Sequence, residues 1–109
     1  MNKVTLELKS TIEEVFGSKI RIRILRILAH KGELSLTSLI NEIQTNYITA
    51  LRHLYILQDN NLIEENKFGR IRIFRYKIEN IKARMLRELI TIWEDTTATV
   101  EEHDMLYPF

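Results

Sequence analysis

The side chains best suited to bind a ligand lie in two short stretches of this sequence. The first stretch, residues 46–59, carries amide, hydroxyl and guanidinium groups and one isoleucine. The residues concerned are Asn46, Tyr47, Ile48, Thr49, Arg52 and Tyr55. Three cations surround a Phe68-Gly69 pair, namely Lys67, Arg70 and Arg72. Lysine, arginine and hydroxyl groups bind phosphate, arginine reads guanine through paired hydrogen bonds, and isoleucine can touch a thymine methyl. These residue types predict a nucleic-acid partner.

Charge is unevenly distributed although the formal net charge is only +1. Five bases and no acid lie between Lys19 and Lys31, and five more bases and no acid lie between Lys67 and Lys77. The last sixteen residues hold five acids and neither lysine nor arginine. Such asymmetry is typical of a surface that meets a polyanion. Solvated helix and hairpin faces would give the same pattern, so charge alone leaves both interpretations open.

The sequence lacks the residue sets of enzymes and metal sites. Cysteine is absent, and the histidines are only His30, His53 and His103. No glycine-rich phosphate loop or nucleophile motif occurs, so we predict no catalysis, no metal and no cofactor. No apolar run reaches the roughly 18 residues of a bilayer span, and no signal peptide is visible. We expect a cytoplasmic protein without a membrane partner.

Hydrophobic spacing predicts one domain over residues 1–109, because no linker or repeat interrupts the chain. An N-terminal helix is predicted over residues 1–17, followed by a core over residues 18–78 in which two short helices meet at a turn. The second of these helices spans residues 46–59 and starts at an asparagine cap. Its inward stripe consists of Ala50, Leu54 and Leu57.

Two strands should follow, Leu62 to Lys67 and Ile71 to Ile78, around Gly69, which tolerates the positive φ of a tight hairpin. A helix is then predicted over residues 79–101, and residues 102–109 are expected to fray or to pack against a partner.

Apolar residues of the last helix recur with helical and partly heptad spacing, which favours pairing with a second copy. A chain of 109 residues would also bury more apolar surface as a dimer. The predicted homodimer interface comprises Leu8, Ile12, Met85, Leu86, Leu89, Ile92, Trp93 and Val100.

The order of helices and hairpin resembles the winged-helix fold. Three segments, "GSKIRIRILRILAHKGELSLTSLINEI", "RHLYILQDNNLIEE" and "KFGRIRIFRYKI", resemble the ArsR/MarR-type transcriptional regulators of bacteria and archaea, over roughly residues 17–78. The resemblance implies a mainly α fold with a small β-hairpin wing (α+β), a winged helix-turn-helix with added N- and C-terminal helices. It also implies a dimeric, sequence-specific double-stranded DNA-binding regulator, a repressor. Helix 46–59 would enter the major groove, and wing 67–72 would contact the backbone or the minor groove.

Ile48 and Leu51 stand where that family usually has small or polar residues, so the DNA-facing side of the helix is unusually apolar. Two alternatives therefore stay open. One is an architectural, chromatin-type DNA-binding protein with little sequence preference. The other is a winged-helix module that binds an acidic protein.

Overall fold

The computed structural model describes the backbone of residues 12–106 and the side chains of residues 12–97. Within these residues it contains five helices and one three-stranded sheet, which confirms the predicted α+β winged helix. The elements in chain order are α1 (Ile12–Phe16), α2 (Lys19–Lys31), β1 (Glu33–Ser35), α3 (Leu36–Ile43), α4 (Tyr47–Asp59), β2 (Ile63–Phe68), β3 (Ile71–Tyr76) and α5 (Ile81–Leu106).

The starts of the central helices are fixed by side-chain caps. The hydroxyl of Ser18 accepts the N–H of Arg21 at 3.3 Å at the start of α2. Asn46 caps α4 in the same way, because its Oδ1 accepts the N–H of Thr49 at 2.8 Å. Gly32 ends α2 with a φ of 86°, which glycine adopts without a Cβ penalty. These local signals are why sequence spacing locates the helices.

The core is apolar and receives side chains from every described element. Ala50, Leu54 and Leu57, the predicted inward stripe of α4, are each fully buried. They pack within one cluster that also contains Leu28 and Leu39. Each fully buried leucine stabilises the fold by about 1.5–3 kcal/mol, so α4 has a fixed inner face and its opposite side remains available.

The sheet has the order β1-β3-β2, and all its strands are antiparallel. Phe68 pairs with Ile71 next to a two-residue turn. The φ of Gly69 is 62° and Arg70 has no positive φ, which is the pattern of a type II′ hairpin turn. Side chains of the hairpin alternate, so the face that carries Phe74 and Tyr76 is buried.

The strand ends differ slightly from the prediction. β2 begins at Ile63 because the N–H of Leu62 instead donates to the carbonyl of Leu57, completing a turn in which Asn61 has a φ of 63°. β3 ends at Tyr76, where the N–H of Ile78 turns back to the Tyr76 carbonyl at 3.0 Å.

The last helix is also shifted from the predicted residues 79–101. It starts at Ile81 because Asn80 Oδ1 accepts the N–H groups of Lys82 at 2.9 Å and Ala83 at 3.3 Å. It continues to Leu106, so the first part of the tail at 102–109, expected to fray, is helical. Residues 101–106 contain neither glycine nor proline, and the only proline of the chain comes later, at Pro108.

The sheet is joined to α5 by a buried hydrogen bond, in which the Tyr76 hydroxyl donates to the Ala83 carbonyl at 2.6 Å. Ala83 itself is fully buried. Among the described residues, no helix is long and apolar enough to cross a membrane.

Candidate nucleic-acid interface

The outward side of α4 carries polar groups and one isoleucine. Tyr47 is 52% exposed, Ile48 71% and Tyr55 46%. Asn46 and Arg52 are also exposed, and Thr49 is half-buried. Since Ala50, Leu54 and Leu57 occupy the opposite side, all six candidate residues of this stretch lie on or beside the accessible surface of the helix.

The wing tip, residues 67–71, carries two exposed cations, of which Lys67 interacts electrostatically with Glu65. Lys67 and Arg70 are exposed. No hydrogen bond or ion pair joins either side chain to another among the residues that the structure describes. Their neighbours Phe68 and Ile71 are 65% and 56% exposed. Two positive charges at a projecting turn are therefore available to a ligand.

Arg72 has a different environment from the tip cations. Its guanidinium makes two hydrogen bonds to the carboxylate of Glu65, one of them from Nη2 to Oε1 at 3.1 Å. The same guanidinium donates to the hydroxyls of Tyr47 at 2.9 Å and Tyr55 at 3.2 Å. It also lies 5.9 Å from the centre of the Phe74 ring. We call Arg72, Glu65, Tyr47 and Tyr55 the Arg72 cluster.

The ion pair within the Arg72 cluster is mostly shielded from water, because the side chains of Arg72 and Glu65 are only 19% and 13% exposed. The hydrogen bonds from Arg72 lower the pKa of the Glu65 carboxyl. The hydrogen bonds to Glu65, Tyr55 and Tyr47 in turn raise the pKa of Arg72. Both members of the pair therefore remain charged, and charge-assisted bonds of this kind are stronger than neutral ones.

The sequence grouped Arg72 with Lys67 and Arg70 at the wing tip, and the structure gives Arg72 different partners from the other two. Arg72 lies directly opposite Lys67 in the ladder, but its side chain is bound to α4 and to β2. Sequence reasoning also missed Glu65. The signal was present, because a two-residue turn at Gly69-Arg70 sets a register that puts Glu65 and Arg72 on the same face as diagonal neighbours.

The structure brings α4 and the wing together on one side. Tyr47 and Tyr55 from α4 meet Arg72 from β3, although the residues are 25 and 17 positions apart. Lys67 and Arg70 continue from this contact along the hairpin. The two predicted ligand-binding stretches therefore meet at Arg72.

α4 is also anchored on its other flank by His53. The Nδ1 of His53 lies 2.9 Å from Arg21 Nη1, and the Nε of Arg21 donates to the carbonyl of Val15 at 3.4 Å. Because a guanidinium can only donate, Nδ1 must be the acceptor and the ring proton must sit on Nε2. Burial lowers the pKa of His53, with smaller contributions from the positive charges of Arg21 and Arg52. The ring is thus a neutral structural group.

A separate apolar surface lies on α5. We call Met85, Leu89, Ile92 and Trp93 the apolar face of α5; their exposed fractions are 47%, 50%, 62% and 69%. Leu86, predicted to belong with them, is partly buried and packs against the core. Ile12 of α1 is 69% exposed. Leu8 lies outside the described residues, and so does the side chain of Val100.

An apolar groove of about 840 Å³ runs beside this face, between α2 and α5. Phe16, Ile22, Leu86, Leu89 and Trp93 are among its lining residues. Glu94 closes one side by accepting hydrogen bonds from Arg26 at 3.2 Å and pairing with His30 at 2.6 Å. Among the described residues, no group of three or more histidine, aspartate or glutamate side chains is arranged to hold a metal ion.

No family model matches the sequence, and no curated protein sequence matches it. The fold does match solved structures. HlyU from Vibrio cholerae N16961 has a TM-score of 0.66 at 19% identity, with 83% of this chain and 94% of that chain covered. The transcriptional repressor BigR from Xylella fastidiosa has a TM-score of 0.63 at 20% identity, with 83% and 88% covered.

A third match, an ArsR family transcriptional regulator, has a TM-score of 0.56 at 22% identity over 74% of this chain and 84% of that one. Identities this low establish likeness of fold and not of ligand. The chain therefore has the winged-helix fold that is found in ArsR family transcriptional regulators.

Proposed function

We propose that this chain is a homodimeric, sequence-specific double-stranded DNA-binding transcription regulator that acts as a repressor. The observation that carries the proposal is the contact of Arg72 with Tyr47 and Tyr55, which joins the exposed side of α4 to the hairpin whose tip carries Lys67 and Arg70. A B-DNA major groove is about 12 Å wide and admits one α-helix. With α4 in that groove, the wing would lie on the adjoining backbone or minor groove.

Base contacts are assigned to the first turns of α4, because a recognition helix places its N-terminal residues nearest the base edges. Arg52 is the candidate for paired hydrogen bonds to guanine, and Ile48 is placed to meet a thymine methyl. Asn46 and Thr49 lie at the helix start, where backbone N–H groups and the positive end of the helix dipole favour a phosphate. Tyr47 and Tyr55 supply hydroxyls for phosphate oxygens.

Lys67 and Arg70 are assigned to phosphates beside the groove. Neither side chain forms a hydrogen bond or ion pair with the described residues, although the charge of Lys67 interacts with Glu65. Binding DNA would therefore break no existing ion pair. Each phosphate that they neutralise would release a counterion, so affinity should fall steeply with salt.

The dimer is assigned to the apolar face of α5, with Ile12 and Leu86 beside it. Four large apolar side chains at helical spacing leave about half or more of their surface in water, and a second copy would cover them. A two-fold dimer would present two α4 helices to half-sites about 34 Å apart, so the operator should be a pseudo-palindrome. BigR, which has the same fold, is described as a transcriptional repressor. Chromosomal DNA as the partner would place the protein in the cytoplasm.

Selection of duplexes from a random pool, followed by affinity measurements at two salt concentrations, tests the proposal. We expect a selected palindrome to bind about 1000-fold more tightly than random duplex. Arg52→Ala should reduce that preference at one position of each half-site by a factor of about 10 or more. Absence of binding at low salt would refute a role on DNA and favour the alternative of an acidic protein partner.

One observation favours a second candidate, an architectural DNA-binding protein. Ile48 is 71% exposed at the centre of the proposed base-reading surface, and an isoleucine cannot form hydrogen bonds to bases. Equal, salt-sensitive binding to random and selected duplexes would support this candidate and refute the sequence-specific regulator.

A further inference from the structure

We propose that Arg72 acts on DNA through Tyr47 and Tyr55, holding the two phenol groups as paired donors to the phosphate backbone while its own guanidinium stays on Glu65. Arg72 is thus a positioning residue, and the hydroxyl pair is the phosphate-binding element. This inference rests on the proposed function and assigns the roles within that site.

The hydrogen-bond chemistry gives the orientation of the hydroxyls. A guanidinium has five N–H donors and no acceptor, so the oxygen of each tyrosine must accept from Arg72. The distances of 2.9 Å and 3.2 Å are those of ordinary N–H···O bonds. Each phenol has one hydrogen of its own, and that hydrogen cannot point at Arg72. Both O–H groups are therefore left as donors, and both tyrosines are about half exposed.

The charge of Arg72 is already compensated. Glu65 accepts two hydrogen bonds from it, and the pair is more than four-fifths buried. A phosphate that bound Arg72 directly would have to displace this carboxylate or share the cation with it. Loss of one partner leaves the other charge buried and uncompensated, which is strongly unfavourable. Lys67 and Arg70 face no such competition.

Contact with the guanidinium also prepares the phenols for an anion. A hydroxyl oxygen that accepts a bond from a cation becomes a stronger donor through its own hydrogen, because hydrogen bonds in a chain polarise one another. The bonds also fix two side chains that would otherwise lose rotational freedom on binding. Since Arg72 belongs to β3 and the tyrosines to α4, the same bonds set the wing against the helix.

Three single variants test the inference, Tyr47→Phe, Tyr55→Phe and Arg72→Gln, with Arg70→Ala as the matched control. Affinity for the selected duplex is measured over a series of salt concentrations. We expect each Tyr→Phe change to weaken binding about 10-fold, the effect of losing a hydrogen bond to a charged group. The slope of log affinity against log salt should stay unchanged, because no cation is lost. Arg70→Ala removes one cation from each half-site and should reduce that slope by about 0.9 per half-site, or about 1.8 for the dimer.

A double-mutant cycle separates a positioning role from a direct one. In the Arg72→Gln background, each further Tyr→Phe change should weaken binding by less than 2-fold, because the hydroxyls are no longer held. The inference would be overturned if each Tyr→Phe change weakened DNA binding as much in the Arg72→Gln background as in the wild type. It would also be overturned if Arg72→Gln reduced the slope of log affinity against log salt as much as Arg70→Ala does.

If Arg72→Gln fails to fold, the two tyrosine variants still test whether the hydroxyls bind DNA, because each variant removes only one half-exposed hydroxyl. Wild-type affinity with both phenylalanines would overturn the inference and leave the proposed function standing. Failure of the wild-type protein to bind any duplex would overturn both.

Discussion

The two exposed surfaces of this molecule leave different chemistry unsatisfied. On the side of α4 and the wing, the exposed groups are cations and hydroxyls beside three apolar side chains, Ile48, Phe68 and Ile71. On the side of α5, they are methionine, leucine, isoleucine and tryptophan. Ile48 on the first surface and Trp93 on the second have nearly the same exposure, 71% and 69%. The neighbours of an exposed apolar side chain therefore help to indicate which partner it would contact. Neighbours that can bind phosphate favour a DNA duplex as the partner, whereas further apolar neighbours favour another protein surface.

The largest effect should come from introducing charge into the apolar face of α5. Leu89→Glu with Trp93→Glu places carboxylates where two copies would meet. If each copy loses about 2 kcal/mol of contact energy, the symmetric dimer loses about twice that, or roughly 1000-fold in its dissociation constant. Light scattering should then report one chain of 13.0 kDa at concentrations where the wild type reports two.

Ile48→Glu is the matched control for that experiment. It should leave the mass of the dimer unchanged and abolish DNA binding, because the new carboxylate would face phosphate and base acceptors. If Ile48→Glu separated the subunits, the surface around Ile48 would also take part in dimerisation, and the proposed division between a DNA-binding surface and a dimer surface would be wrong. A wild-type protein with the mass of one chain would refute the dimer itself.

A somewhat smaller effect is expected from Lys67→Ala with Arg70→Ala. Loss of two phosphate contacts in each half-site should reduce the salt slope by about 1.8 per half-site, equivalent to about 60-fold per half-site in affinity at 0.1 M salt relative to 1 M. The mass of the assembly should not change. The control pair is Arg84→Ala with Arg87→Ala, two exposed cations on α5, which should alter the slope by less than a quarter as much. Equal effects of the two pairs would show that net charge, and not the wing, governs binding.

A paired arginine on the same hairpin should matter still less for DNA. Arg75 lies on the outer face and bonds to Glu64 at 2.8 Å and to Glu79 at 2.8 Å. Arg75→Ala should lower the free energy of unfolding by about 0.5–1 kcal/mol, as for surface ion pairs. It should change DNA affinity less than 2-fold. Urea unfolding measures the change in stability, and titration with the selected duplex measures the change in affinity. A large loss of affinity would contradict the rule that paired cations of this hairpin are structural.

The smallest effect concerns His53, whose pKa in the fold is lowered by burial and by the nearby Arg21 and Arg52. Between the ordinary histidine pKa of about 6.5 and the lowered value, the unfolded chain takes up a proton that the folded chain does not. Stability should therefore fall as the pH decreases below about 6.5, and level off below the folded pKa. The measurement is urea unfolding from pH 8 to pH 5 at fixed protein concentration.

His53→Gln is the comparison, because a glutamine carbonyl can still accept from Arg21 but does not titrate. The difference in unfolding free energy between the two proteins should shrink or reverse in favour of glutamine on acidification. A difference that is constant with pH would contradict a neutral, buried His53.

Local features of the fold could be predicted from the sequence. Asn46 as a cap, the stripe at Ala50, Leu54 and Leu57, and the turn at Gly69 all depend on residues within a few positions of one another. Helix periodicity and turn chemistry act over that range. The prediction ended the last helix at residue 101, whereas α5 continues to Leu106 through residues that include neither glycine nor proline.

The contacts between distant elements could not be predicted in the same way. The Arg72 cluster includes contacts between residues 17 and 25 positions apart on two elements, so the sequence pattern placed Arg72 only with Lys67 and Arg70 at the wing tip. Leu86 repeats the difficulty on α5: spacing shows that it shares a stripe with Leu89 and Trp93, but only packing shows that it turns partly towards the core. The orientation of a helix about its own axis depends on the elements that pack against it. The spacing of apolar residues in the sequence does not identify those elements.

The hydrogen bond from Tyr76 to the Ala83 carbonyl gives α5 a mechanical role. At about 1.5 Å per residue, the 26 residues of this helix extend about 39 Å, and its first turn is fastened to the strand that continues into the wing. The N-terminal end of α5 is therefore attached to the sheet, and the rest of the helix extends away from it. In the proposed dimer, a change of a few degrees in the angle between the two α5 helices would move both wings and alter the separation of the two α4 helices.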